Sequence, residues 1–183
     1  MSARSLGQEV LSAMPSSSSF SSSSPNTISS MIAQKLTTYI LVNCKLVGVY
    51  NGTIPGTPPI PEVMIPDTWS VSGNISSAIT SSAGFNPWLT LLDTNIKAGI
   101  FTGMGAYCSP MAPMPAFPAL STQLQQSELE SIVKAGSDVA IKSWELIFTR
   151  IFMAIKLGFV PSVPARSTPG GIGNFTVTSI ILE

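Results

Sequence analysis

Few residues in this chain could do chemistry. The 183-residue sequence contains no histidine and two cysteines, Cys44 and Cys108. The commonest general base of enzymes is therefore absent, and catalytic groups that pair serine or cysteine with histidine are excluded. The cysteines lack Cys-x-x-Cys spacing and lie among apolar residues, where a free thiol behaves as a small hydrophobic group. We expect two free thiols, with one disulfide as the alternative, and neither a metal site nor a cofactor.

Paired carboxylates could still perform acid–base catalysis. The only close pair is Glu128 and Glu130, and residues two apart on a helix point to different faces. The glycine-rich segments around Gly103 and Gly170 lack the spacing and the preceding strand of a dinucleotide or phosphate site. Nine basic and nine acidic residues give zero net charge, and no basic patch indicates nucleic-acid binding. The sequence thus predicts no catalytic residues and a protein that is not an enzyme.

The composition is poor in charge and rich in hydroxyl and amide side chains. Charged residues make up 10% of the chain, against about 25% in an ordinary soluble domain. Zero net charge also removes the long-range repulsion that keeps copies of a protein apart. This composition favours self-association.

Helical spacing of apolar residues predicts a largely helical body. A short amphipathic helix with a capping box at Ser5 and Gln8 comes first, and Pro15 ends it. The segment 139–160 is long enough to cross a membrane, but its four charged residues favour a buried helix. The predicted helices span about 5–14, 27–46, 86–98, 122–135 and 137–158.

Strand signals are short and scattered. Asn51-Gly52 predicts a hairpin with strands of a few residues. Five prolines between Ile54 and Pro66 favour an extended path without regular structure, as do the proline-rich segments 107–120 and 160–173. The alternation in Phe175–Leu182 predicts a terminal strand with two apolar faces, whose free edge would recruit another chain.

These patterns predict an α+β fold, with a mainly helical body, a short β-hairpin and strands, proline-rich extended loops and an N-terminal arm. Residues 1–26 would form the arm, 27–160 the helical body, and 161–183 a C-terminal extension that ends in a strand. The arm contains SSSSFSSSSP at 16–25. Ordering such a segment costs about 1–2 kcal/mol of backbone entropy per residue, so contacts from outside the segment must hold it.

The chain combines low charge, abundant Ser, Thr, Asn and Pro, and predicted extended arms around a small helical body. The stretch SSSSFSSSSPNTISSMIAQKLTTYI is an example. In these respects the chain resembles the small structural proteins of tailed-bacteriophage virions, from the neck, tail or baseplate. The resemblance implies repeated copies in a ring or shell, with other virion proteins and copies of itself as partners. It also implies a location in the virion, assembled in the host cytoplasm, and no membrane.

On this interpretation, apolar residues of the arm, the proline-rich segments and the terminal strand form the interfaces. They are Leu6, Val10, Met14, Phe20, Trp69, Met111, Met114, Phe117, Phe175, Val177 and Ile181. Two alternatives remain open. One is a small-ligand binding module or enzyme with a pocket lined by the Met, Pro and Phe residues of 111–117, and the other is a membrane-active protein built on 139–160.

Overall fold

The computed structural model describes residues 2–14, 25–56, 60–73, 85–97, 102–112, 127–128, 131–132, 135–158, 161–168 and 170–182. Its helices with described bounds are α1 (Ala3–Ala13), α2 (Pro25–Asn43), α3 (Phe85–Lys97) and α4 (Ser137–Gly158). Its strands are β1 (Lys45–Ile54), β2 (Ile60–Ser72), β3 (Thr102–Met104), β4 (Cys108–Pro110), β5 (Ser162–Ser167) and β6 (Ile172–Ile181).

The six strands form one antiparallel sheet in the order β3-β2-β1-β6-β5-β4. Its two edge strands, β3 and β4, are consecutive in sequence and joined by a tight turn in which Gly105 N donates to Cys108 O at 3.0 Å. Because one short turn links the two edges, the sheet curls into a nearly closed barrel. The prediction of a mainly helical body with short hairpins is therefore wrong.

The hairpin predicted at Asn51-Gly52 is also wrong, since both residues lie inside β1. Gly52 pairs with Val63 on one side and with Gly173 on the other. A Cβ atom at Gly52 would come within 2.4 Å of the Tyr50 hydroxyl and 2.6 Å of Gly173 Cα. The glycine makes room for a tyrosine side chain between close strands, so its role is packing rather than a turn.

Prolines did not prevent long strands, contrary to the expectation for 54–66 and 160–173. Pro61 and Pro66 lie in the half of β2 that pairs with β1 alone, because β3 pairs only with residues 70–72. Because no strand pairs with that edge, the backbone N–H that proline lacks does not remove a hydrogen bond between strands. Pro164 in β5 still contributes to backbone hydrogen bonding, because its carbonyl oxygen accepts a hydrogen bond from Met111 N at 2.9 Å.

The terminal strand is confirmed as β6, but its place in the sheet is different from the one predicted. Along Gly173–Ile181 it pairs with β1, and along Ile172–Thr176 it also pairs with β5. The segment expected to be an extension with a free edge is therefore an inner strand of the barrel. Within this strand only Phe175 is fully buried, and Asn174, Thr176 and Thr178 on the other face are exposed, so one face is buried and not both.

The helices share one continuous apolar core with the barrel. Helix α1 packs on α4, where a Cβ added to Gly7 would lie 3.0 Å from Trp144 Cβ. Its capping box is formed by Ser2 and Ser5, one turn earlier than predicted, because each hydroxyl accepts from the other residue's N–H. Helix α2 ends at Asn43, three residues before the predicted end, and leads directly into β1.

Helix α4 confirms a helix for this segment, but only one of its faces is buried. Trp144, Phe148 and Phe152 are each at most 4% exposed, and Phe152 stacks on Tyr39 of α2 with ring centroids 5.2 Å apart. Among the helices that the structure describes, none combines the length and the apolar character needed to cross a membrane. The helix predicted at 122–135 lies mostly outside the described residues.

Candidate functional site

Aromatic rings fill the interior of the barrel. Trp69 of β2 and Phe175 of β6 are fully buried and stacked, with ring centroids 4.1 Å apart. Two glycines of neighbouring strands leave the space for these rings. A Cβ at Gly103 would come within 2.4 Å of the Trp69 ring, and one at Gly48 within 2.7 Å of the Phe175 ring. The interior is therefore a packed core.

The barrel is closed by the carboxylate of Asp67 on β2, which accepts hydrogen bonds from the turn between β3 and β4. Asp67 Oδ1 accepts from Ala106 N at 3.2 Å, and Oδ2 accepts from Tyr107 N at 3.0 Å and Cys108 N at 3.2 Å. A further bond to Oδ1 comes from Thr68 N at 2.8 Å. We call this arrangement the Asp67 clasp.

The clasp favours the ionised form of the carboxyl group. Burial raises the pKa of Asp67, but the bonds from Tyr107, Thr68, Ala106 and Cys108 outweigh it and lower the pKa below its ordinary value. A carboxylate with a lowered pKa whose oxygens already accept four N–H bonds is a poor general base. The geometry thus indicates a structural role.

Cys108 lies beside the clasp and is the only residue there with nucleophilic chemistry. Its Sγ accepts a hydrogen bond from Trp69 Nε1 at 3.2 Å and lies 3.5 Å from Asp67 Oδ2. Burial raises the pKa of the Cys108 thiol to about 11, and the Asp67 charge acts in the same direction. A thiol that stays protonated at neutral pH is a weak nucleophile.

Cys44, between α2 and β1, is buried as well. Burial raises the pKa of its thiol to about 11, against the opposing charges of Lys156 and Lys45. Both cysteines are free, which confirms the prediction of two unpaired thiols. Both thiols therefore stay protonated at neutral pH.

Apolar side chains remain exposed on the outer wall of the barrel, which we define by the outward residues of the strands and of the turn between β3 and β4, together with Met111 directly after β4. Their exposed fractions run from 45% to 69%. These residues are Ile60, Met64, Met104, Tyr107, Met111, Ile172 and Ile181. Between them the wall presents mostly hydroxyl and amide groups, for example Asn51 beside Met64 and Ser70 beside Met104. Such a surface is suited to contact with another protein.

A groove of about 420 Å³ lies between α1 and α2. Its charged groups, Glu9 and Lys35, form an ion pair at 3.8 Å, with both side chains more than 40% exposed. An exposed pair of this kind contributes little energy. The groove shows no convergent set of buried polar groups that would select a ligand.

The structure places the residues predicted as interface residues in three settings. The side chains buried within the chain are Leu6, Val10, Trp69 and Phe175, and those half-buried are Met14 and Val177. The exposed ones are Met111 and Ile181. Phe20, Met114 and Phe117 lie outside the described residues, as does most of the pocket segment 111–117. The four buried residues act in the core of one chain, while Met111 and Ile181 belong to the outer wall.

Sequence reasoning missed Asp67 and the two glycines that face the rings. The available signal was the strand period of two, which puts Asp67 on the same face as Trp69 and Val71. A carboxylate on an apolar face requires several donors. Which N–H groups supply them depends on the conformation of the turn at 105–107. The glycines at 103 and 105 indicated a turn or flexible joint there but did not specify that conformation.

Across the described residues, no group of three or more His, Cys, Asp or Glu side chains could hold a metal ion. Comparisons with protein-family models, with curated proteins and with solved structures found no match. The fold defines the class of the protein as a six-stranded antiparallel barrel that shares its core with packed helices.

Proposed function

We propose that this chain is a non-enzymatic structural component of a viral particle. It assembles in multiple copies through contacts with other virion proteins and with copies of itself. The observation that carries this proposal is the outer wall, where apolar side chains remain exposed on a folded and otherwise well-packed barrel.

The composition of the wall supports a role in protein contacts. Rows of paired residues cross the sheet, such as Met104, Ser70, Lys45 and Ile181 in register from β3 to β6. The cores of protein interfaces are enriched in Met, and the wall carries Met64, Met104 and Met111. Its charged side chains are Lys45, Glu62 and Arg166. Backbone hydrogen bonds within the sheet keep its shape rigid, so little entropy is lost when a partner binds.

The chemistry of the buried polar groups supports the non-enzymatic part of the proposal. Asp67 uses its oxygens to close the barrel, and Cys108 is a protonated thiol in the core. Their hydrogen bonds hold the fold together. Asp67 and Cys108, the side chains best suited to chemical reactions, therefore stabilise the fold.

The experiment is to complement a virus that lacks this gene and to measure the chain in purified particles by mass spectrometry. We expect the wild-type chain in the particles. The variant Met64→Lys with Ile172→Lys should be strongly reduced there, since two charges would enter a contact surface. The matched control is Gln8→Lys, an exposed position on α1 away from the wall, which should be incorporated normally. Particles without the wild-type chain, or particles with normal amounts of the wall variant, would overturn the proposal.

A further inference from the structure

Helix α4 carries a second exposed apolar surface, separate from the outer wall. Val139, Leu146, Met153 and Leu157 are 59%, 64%, 62% and 86% exposed. At about 100° per residue they lie within roughly 40° of one line along the helix, over about 27 Å. The opposite side of α4, which includes Trp144 and Phe148, is buried in the core. Helix α4 is thus apolar on two faces, which is typical of a helix covered on both.

The exposed face has the spacing of a helix-pairing seam. With Ser143 and Arg150 included, its positions are spaced by four, three, four, three and four residues. This alternation is the a/d pattern of paired helices. Arg150 is bonded to Glu128, with Nη2 2.7 Å from Oε1, so its charge is already compensated. Its aliphatic part can cover apolar surface. We name the six residues 139, 143, 146, 150, 153 and 157 the α4 seam.

We infer that a second copy of this chain covers the α4 seam, with the two α4 helices antiparallel about a twofold axis at residue 148. This inference refines the partner named in the proposed function, copies of the same chain, and its test does not depend on virus particles. It involves a different surface from the one tested there.

The seam is complementary to itself in that arrangement. The twofold axis relates residue n of one copy to residue 296 minus n of the other. Val139 then faces Leu157, two apolar side chains at each end of the contact. The small Ser143 faces the long Met153, and Leu146 faces the aliphatic part of Arg150. Alternation of large and small side chains across facing positions is what close helix packing requires.

The charges beside the seam allow this pairing. The flank contains two acidic residues, Asp138 and Glu145, and two basic residues, Lys142 and Lys156. In the antiparallel pairing Lys156 of one copy faces position 140 of the other, between Asp138 and Lys142. Its attraction to Asp138 is therefore offset by repulsion from Lys142. The flank has no net charge, and the chain as a whole has none. Long-range repulsion between two copies is therefore absent.

The first test is sedimentation analysis of the full chain over a concentration series. We expect a mass of twice 19.2 kDa for the wild type. Leu146→Lys should raise the dissociation constant about 100-fold or more, because it puts a second positive charge near Arg150 in the centre of the contact. The matched control is Val42→Lys, since Val42 is 63% exposed on α2 outside the seam. This control should remain a dimer.

A second test addresses the antiparallel direction. Val139→Cys combined with Leu157→Cys should give disulfide-linked dimers, whereas Val139→Cys alone should give few, because the two copies of residue 139 lie about 27 Å apart in the antiparallel arrangement. The native thiols are buried and do not compete. Far-ultraviolet circular dichroism checks that each variant is folded.

A wild-type chain that stays monomeric, or a Leu146→Lys variant that dimerises normally, would overturn the seam as the interface. Equal cross-linking by Val139→Cys alone would overturn the antiparallel arrangement. A dimer in solution together with absence from particles would reject only the virion proposal. A monomer that is incorporated into particles would reject only the dimer.

Discussion

At the scale of single residues, Asp67 shows how one buried charge can organise a fold. Its carboxylate lies on β2, and three of its four donors belong to the turn between β3 and β4. Hydrogen bonds to charged groups contribute about 1.5–3 kcal/mol each, more than neutral bonds do. The clasp therefore ties β2 to the turn that connects the two edge strands, β3 and β4.

The clasp predicts a specific dependence of stability on pH. Because the pKa of Asp67 is lower in the folded chain than in the unfolded one, its contribution is complete above the unfolded pKa, near about 4. It is lost as the pH falls through the folded pKa. Asp67→Asn should lower the free energy of unfolding at pH 7 by about 2–3 kcal/mol. It should also flatten the decline of stability below about pH 4, as measured by urea unfolding at several pH values.

The control for this prediction is Glu62→Gln, an exposed carboxylate on the same strand. It should leave both the stability at pH 7 and the acid slope close to those of the wild type. An Asp67→Asn variant with the wild-type acid slope would show that the clasp does not bind the ionised carboxylate preferentially.

Gly103 gives a second prediction at this scale. A methyl group there would meet the Trp69 ring at 2.4 Å, and the stacked ring of Phe175 leaves little room to move. Gly103→Ala should destabilise the fold by about 2–3 kcal/mol through overpacking. Gly136→Ala meets no atom within 4 Å, and it should cost less than about 1 kcal/mol, the loss of a favourable helix N-cap. Thermal unfolding of both variants measures the difference, and equal costs would contradict the packing explanation.

At the scale of elements, α1 is part of the folded body. Leu6 and Val10 are at most 1% exposed, and the helix packs on α4 and α2. An isolated helix of eleven residues is marginal in water, so tertiary contacts are what stabilise it. The N-terminal helix therefore contributes to the stability of the chain in which it lies.

This packing predicts that shortening a side chain of α1 destabilises the whole fold. Val10→Ala removes two buried methyl groups and should cost about 2 kcal/mol. Val42→Ala makes the same chemical change at a position that is 63% exposed, and it should be close to neutral. Urea unfolding followed by tryptophan fluorescence gives both values. Equal, small effects would mean that α1 is a detachable arm after all.

At the scale of the whole molecule, the barrel and the helices form one core. The two thiols lie in different regions of this core. Cys108 lies at the clasp, and Cys44 lies where α2 meets β1. Both thiols are buried, with the pKa of each raised to about 11. Native-state labelling of either thiol therefore requires an opening of the structure around it.

We predict slow labelling of both thiols by iodoacetamide at pH 8 in the native chain. Asp67→Asn should accelerate labelling of Cys108 at least several-fold, because it weakens the closure of the barrel, and should leave Cys44 unchanged. Peptide mapping by mass spectrometry assigns each site. Equal acceleration at both cysteines would indicate that the chain opens only as a whole.

Local signals in the sequence were sufficient for the helices and for the terminal strand. The end of α4 at Gly158 and its buried face follow from helix-end signals and from a period near 3.6 residues, whereas α2 begins at Pro25, before its predicted start at 27. They were insufficient for β1, β2 and β5. These strands contain glycines and prolines, which normally interrupt a strand. The glycines lie where an aromatic side chain needs space, and the prolines of β2 lie where the strand edge makes no hydrogen bonds to a neighbour. Only the neighbouring strands define such positions.

What the sequence by itself determined is a chain with no histidine chemistry, two cysteines, little charge and several amphipathic helices, because composition and short-range spacing are properties of the chain alone. The tertiary structure decided that six strands form a nearly closed barrel, that Asp67 of β2 binds the turn between β3 and β4, and that Trp69 and Phe175 are core residues. These features depend on contacts between residues far apart in the chain, as far as Lys45 and Ile181 in the pairing of β1 with β6. Such contacts arise from long-range strand pairing, which leaves no trace in any short stretch of sequence.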